Sequence, residues 1–190
     1  MSPPENAVSD SRQRRAIGTS TMVIMTTTLD ATFRITALPG AALSRIRTSG
    51  IDDFGHPLRV FVNAEEPGTP LRCCLREARV GERVALISWQ PLQEARDSVY
   101  AEVGPVFVHA DACPGYRDEW SYPEGFRHRE QVMRSYSAAG DMLDAVITDG
   151  SAAEDAISSL FANPQAAVVH SRNVKAGCFM FAIHRSRDGG

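Results

Sequence analysis

Apolar and polar positions alternate in short runs over most of the chain, the pattern of half-buried β-strands. Such runs predict strands over residues 32–38, 58–63, 83–89, 99–109, 132–136, 143–148, 166–170 and 178–184. Turn-forming pairs separate them, notably Pro39-Gly40, Pro67-Gly68, Pro114-Gly115 and Asp149-Gly150. One segment has helical spacing instead. Ala153, Ile157, Leu160 and Phe161 share a face, Ser151 and Glu154 stand at capping-box separation, and Asn163-Pro164 supplies the stop. A shorter helical candidate runs from Cys74 to Ala78. With so few crossover helices, parallel strands have little to join them. The expected class is therefore α+β: a mainly antiparallel sheet with one well-defined helix, about residues 151–162, packed on it.

Residues 1–30 are rich in Ser, Thr, Pro and charge without hydrophobic periodicity, which predicts a flexible N-terminal extension. Residues 31–187 are expected to form a single globular domain. Within it, Cys113 to Glu130 carries prolines, glycines, four aromatics and many charges in no regular period. This predicts a long ordered loop, with Tyr116, Trp120, Tyr122 and Phe126 as the apolar surface that folds it back on the body.

Composition narrows the function classes. A chain of 190 residues, 43% hydrophobic and 23% charged, supports one well-buried core. Its formal net charge of −3 gives no overall positive field for nucleic acid or an anionic membrane, so neither is expected as a partner. No segment approaches the roughly 20 apolar residues of a membrane helix, and the arginine-interrupted first residues do not read as an export signal. The expected location is the cytoplasm, where thiols stay reduced and four cysteines point to reactivity, metal or packing rather than bridges. Oligomeric state is not legible.

The common motifs are missing: there is no GxGxxG, no phosphate-binding lysine loop, no HExxH, no GxSxG and no CxxC. What stands out is a scatter of cysteines and histidines at predicted strand ends. In Val106 to His109, alternation places Val106 and Val108 on one face and Phe107 and His109 on the other, and Cys113 follows. In the last strand Phe179, Phe181 and Ile183 are expected on one face, with Cys178, Met180, Ala182 and His184 opposite. A hairpin between the last two strands would gather His170, Arg172, Asn173 and Cys178. Imidazole with thiolate can bind zinc, iron or copper, or can act as a nucleophile pair. Arginine with asparagine can hold an anionic group. Against each use stands plain packing, since reduced cysteine is among the most buried residue types.

Three stretches, Arg72 to Glu82, Gly104 to Cys113 with Tyr100 before it, and Val169 to Cys178, resemble the bacterial domain-of-unknown-function family 1203 over about residues 32–185. The family pattern has a Cys-Arg-any-Cys-Leu element, a Gly-Pro-Ile/Val-Phe-Val-His strand, and a Val-His-any-Arg-Asn turn followed by Gly-Cys. Arg72, Cys74 and Leu75 match the first; Gly104, Pro105, Phe107 and His109 the second; His170, Arg172, Asn173, Gly177 and Cys178 the third. Leu71 stands where the first cysteine would be, so a ligand set needing that sulfur is incomplete unless Cys73 replaces it. The resemblance implies a shared fold and a shared site, and carries no reaction.

The resulting expectation is a small-molecule enzyme of unassigned reaction. Its catalytic group is Cys74, His109, His170 and Cys178. Substrate contacts come from Arg172, Asn173, Tyr116 and Trp120. A transition metal, where one is bound, sits on His109, His170, Cys178 and Cys113. The alternative is a non-catalytic ligand-binding or protein-interaction domain whose cysteines are structural.

Overall fold

The structure is a computed structural model that describes residues 33–186. The predicted extension, residues 1–30, lies outside the described residues. The fold is α+β and mainly antiparallel, but it has two five-stranded sheets where the alternation pattern suggested one.

The first sheet has the order β1 (Phe33–Thr36), β10 (Phe179–Arg185), β9 (Val168–Asn173), β7 (Glu130–Tyr136) and β8 (Met142–Asp149). The second has the order β2 (Arg59–Val62), β5 (Arg83–Trp89), β6 (Gly104–His109), β3 (Pro70–Leu71) and β4 (Arg76–Glu77). All pairings are antiparallel except β3 with β6.

Each sheet carries one helix and one apolar core. Helix α2 (Ala153–Phe161) lays Ala153, Ile157, Leu160 and Phe161 onto the first sheet, against Ile35, Met133, Val169, Phe181 and Ile183. Its apolar spacing is as predicted, but the capping box does not form. A 3₁₀ turn over Gly150–Ala152 leads into the helix and no side chain caps it. Glu154, the expected reciprocal partner, is instead paired through both carboxylate oxygens with Arg127 of the long loop. Ile157 is fully buried, and its truncation to alanine is expected to cost about 2–5 kcal/mol.

Helix α1 (Gly40–Ser49) was not predicted. Only Leu43 and Ile46 of its ten residues are buried, too sparse an apolar face to show as a period, and Pro39-Gly40 reads as a turn. It packs on the second sheet with Leu71, Val84, Ile87, Val106 and Val108.

Three local expectations are corrected. The strand predicted over 99–109 begins only at Gly104, and Val99 is 92% exposed in the connection from β5. No helix forms over Cys74–Ala78: a single turn over residues 71–75, closed by Leu75 N–H donating to the Leu71 carbonyl at 2.9 Å, leads directly into β4. In β10 the alternation is broken by a bulge between Phe179 and Phe181. The extra residue puts Phe179 into the core of the second sheet while Met180, Phe181 and Ile183 stay in that of the first.

The long loop after β6 is ordered, as expected. Tyr122 and Phe126 are buried, and both rings pack on Phe181, with centroids 5.6 and 6.2 Å away. The loop leaves the end of β6 in one sheet and enters β7 in the other.

Candidate metal centre

Two chain segments that are far apart in sequence meet at the end of β6. The β3–β4 turn supplies Cys73 and Cys74. It is folded by Leu75, which takes a left-handed conformation (φ 55°) rare for a branched side chain. That residue is held there by its own burial in the first core, at 2% exposure. The loop presses on the turn from outside: a Cβ on Gly125 would stand 2.9 Å from Arg76 Cα, so only glycine lets the two backbones approach. The second segment supplies His109, on the face of β6 that alternation assigns to it, and Cys113 four residues later.

The sulfurs of Cys73, Cys74 and Cys113 and one nitrogen of His109 all lie within 4.8 Å of one another. Among the described residues no other three or more Cys, His, Asp or Glu side chains have this arrangement. All four cysteines are free thiols. Cys73 Sγ is 3.9 Å from Cys74 Sγ and 3.3 Å from His109 Nδ1, and Cys74 Sγ is 3.7 Å from the same nitrogen. A tetrahedral zinc with bonds of about 2.3 Å to sulfur and about 2.0–2.1 Å to nitrogen needs edges of roughly 3.8 Å between sulfurs and roughly 3.5 Å between sulfur and nitrogen. The three edges among Cys73, Cys74 and His109 lie within about 0.2 Å of those lengths, and the edges to Cys113 are no longer than 4.8 Å.

Backbone amides also act on the sulfurs. His109 N–H donates to Cys73 Sγ at 3.3 Å. The backbone amides of Arg76 and Gly115, each two residues along the chain, pull the Cys74 and Cys113 thiols downward. Amide donors favour the charged form of sulfur. Without a cation, two neighbouring thiols cannot both ionise easily. The hydrogen bond between them, with burial, pushes the Cys73 thiol far up, while that bond and the Arg76 charge hold the Cys74 thiol down. These opposite shifts describe one proton shared by a pair rather than two independent groups. Burial pushes the Cys113 thiol up as well.

The far side of His109 is equally furnished. Nε2 lies 3.2 Å from Arg76 Nη2 and 3.6 Å from Glu82 Oε2. Arg76 grips Glu82 with two bonds of 2.7 and 2.8 Å, which hold the carboxyl down at about 2. The pair can serve either tautomer: Arg76 donates to a bare Nε2, and Glu82 accepts from a protonated one. Burial and the Arg76 charge keep the imidazole below its usual range, hence neutral near pH 7. Arg47 of α1 donates twice to the His109 carbonyl, at 3.0 and 3.1 Å, and fixes the strand end. A cleft of about 340 Å³ reaches Cys73 and Cys113, with Arg47, Tyr116 and Glu119 also in its wall.

The other residues singled out from sequence lie elsewhere. His170 is in the middle of β9, its ring between Tyr136 and Phe179 with centroids 4.9 and 5.1 Å away. Cys178 accepts from Arg72 Nη2 at 2.9 Å, and Arg72, 1% exposed, also donates to the Phe179 carbonyl, so it ties β3 to β10. Arg172 is spent on the Gly177 carbonyl and on an ion pair with Glu102. Asn173 accepts from the Ala176 amide and closes the hairpin turn. Tyr116 donates to the Ser121 carbonyl beside the cleft, while Trp120 is 54% exposed.

Thus of the expected metal set the structure gathers His109 and Cys113 but not His170 or Cys178. Of the expected catalytic set it gathers Cys74 and His109. Cys73, named from sequence only as a replacement for the missing first cysteine and left out of both sets, is part of the cluster. Leu71 is fully buried in the second core, and the sulfur beside His109 comes from Cys73, two residues on.

The family model described as Protein of unknown function (DUF1203) matches residues 68–185, which include all four residues of the cluster. No curated protein and no solved structure matches the chain.

Proposed function

The chain belongs to the DUF1203 family, and on that premise we propose that it is a metal-binding domain whose Cys73, Cys74, His109 and Cys113 hold a single zinc-class divalent ion. The observation that carries this reading is the convergence, from two distant chain segments, of three sulfurs and one imidazole nitrogen within 4.8 Å of one another, with near-tetrahedral edges among Cys73, Cys74 and His109. Soft sulfur with one borderline nitrogen suits zinc over magnesium or calcium, which take oxygen.

Four protein donors fill a tetrahedral shell, which suits an ion that holds structure more than one that takes substrate. Here it would pin Cys113, the start of the loop that crosses from one sheet to the other, to the β3–β4 turn. Glu82 would accept from His109 Nε2–H and orient the ring, as carboxylates do behind zinc-bound imidazoles. The test is elemental analysis of protein purified without a metal-affinity column. The expected result is close to one zinc per chain, lost on Cys73→Ser. Metal-free protein that stays folded and takes up no zinc would overturn it.

One observation favours a second reading. Cys74, with its thiol held down beside Arg76 and a cleft reaching its neighbours, has the makings of a nucleophile, and with it of the small-molecule enzyme. Rapid alkylation of Cys74 alone in metal-free protein would select this reading over the first.

A further inference from the structure

A second feature of the molecule is independent of the cysteines. A cavity of about 290 Å³ lies over the face of the first sheet opposite α2. Its floor is a row set by strand register: Thr36 of β1 pairs with Ala182 of β10, which pairs with His170 of β9. Directly paired residues project to the same face. The small Ala182 therefore leaves a trough between two polar side chains. His184, one place further along that face of β10, extends the wall.

The roof is the end of β5, with Trp89, and the connection to β6, with Leu92 and Ala95. This roof is built in place. A Cβ on Gly140, in the β7–β8 turn, would stand 2.7 Å from both Ala95 Cβ and Ser98 Cβ, and Ser98 Oγ donates to the Gly140 carbonyl at 2.8 Å. The bulge in β10 brings Phe179 into the wall.

Two polar groups in this wall are unsatisfied. His170 is 1% exposed, yet its Nδ1 has no hydrogen-bond partner, and its ring makes none with any described residue. Thr36 Oγ1 is also buried and unpartnered. Leaving a buried polar group unpaired is destabilising, and phenylalanine at 170 would avoid it. An orphaned imidazole in the wall of an apolar cavity is the arrangement of a ligand site, where a few polar groups fix orientation and apolar walls supply affinity. An apolar cavity of about 150 Å³ accommodates a benzene ring, so this one has room for a ring with substituents.

We infer that this cavity binds a small, largely apolar, ring-sized molecule through one uncharged hydroxyl or carbonyl group, which pairs with His170. A charged ligand group is disfavoured because burial keeps the imidazole neutral, its pKa held down near 3, so it offers a hydrogen bond and no countercharge.

The test is a fluorine NMR titration of the full chain with 4-fluorophenol, fluorobenzene and 4-fluorobenzoate. Expected are saturable binding of 4-fluorophenol, binding of fluorobenzene about three- to tenfold weaker for want of one net hydrogen bond, and the weakest binding from the benzoate. His170→Phe should erase the preference for the phenol over fluorobenzene. Ala182→Leu, which fills the trough, and Leu92→Trp, which fills it from the roof, should each abolish binding, and either one folded suffices. No saturable binding of phenol or fluorobenzene in the millimolar range would overturn the inference. So would binding unchanged in the filled variants, or tightest binding of the benzoate.

Discussion

His109 and His170 are the same side chain in opposite circumstances. Both sit on central strands, both are largely withdrawn from water, and both are kept neutral by burial. Around His109 every polar position is occupied, with two thiols at Nδ1, an arginine and a carboxylate at Nε2. Around His170 there are aromatic rings and a cavity, and no partner. The contrast teaches how to read a buried polar group. Where the chain supplies a complete and geometrically strict set of partners, something small and charged fits among them. Where it supplies none, the missing partner belongs to a ligand.

The largest effect expected from this contrast is on stability. Chelation of metal, or Cys73→Ser or Cys113→Ser, should release the loop between the sheets and lower the melting temperature on the order of 10 °C or more. That follows from several kcal/mol of metal-linked folding energy at about 2–4 °C per kcal/mol for a chain of this size. Thermal unfolding with and without a chelator measures it, and an unchanged melt would place His109 and His170 on the same footing.

The next effect is in pH. A histidine whose pKa is lowered on folding, from 6.5 unfolded to about 3 for His170, leaves the unfolded chain binding the extra proton in between. Stability is thus complete above about pH 6.5 and falls as pH drops toward 3, where the folded state is protonated too. Arg172 and His184 work in the same direction on His170, while Glu94 opposes at His184. The loss is on the order of a few kcal/mol, and denaturant melts of His170→Phe should show a flatter profile, with stability at pH 7 equal to or above that of the parent. An equally steep acid slope in that variant would assign the effect elsewhere.

A smaller change sharpens the His109 side. Glu82→Gln keeps the shape but removes the carboxylate behind the ring, and zinc affinity by chelator competition should fall about 10- to 100-fold with 4-fluorophenol binding intact. Smallest of all, Cys178→Ala should leave zinc stoichiometry unaltered, since Cys178 pairs with Arg72 and not with the cluster. It should cost about 1–3 kcal/mol for the abandoned guanidinium bond. Loss of zinc in that variant would break the separation between the two regions.

How much of this was legible in the sequence follows from the range over which each feature is determined. The strand at Arg83–Trp89 and the apolar face of α2 are local periodicities and read directly. So does the side of β6 on which His109 stands. The meeting of Cys73 with His109 spans 36 residues and depends on a left-handed leucine that no local rule announces. The bulge at Phe179 is invisible to alternation, which therefore put Phe179 on the wrong face. The pairing of Thr36 with His170 through Ala182 exists only in the register of three strands from opposite ends of the chain, so the cavity could not be seen at all.

X-ray absorption at the zinc edge of the native protein reads the ligand set itself. Expected is a first shell of three sulfurs at about 2.3 Å and one nitrogen at about 2.0–2.1 Å, reduced to two sulfurs in Cys113→Ser. A shell dominated by oxygen or by several imidazoles, or a sulfur count unmoved by that substitution, would contradict it.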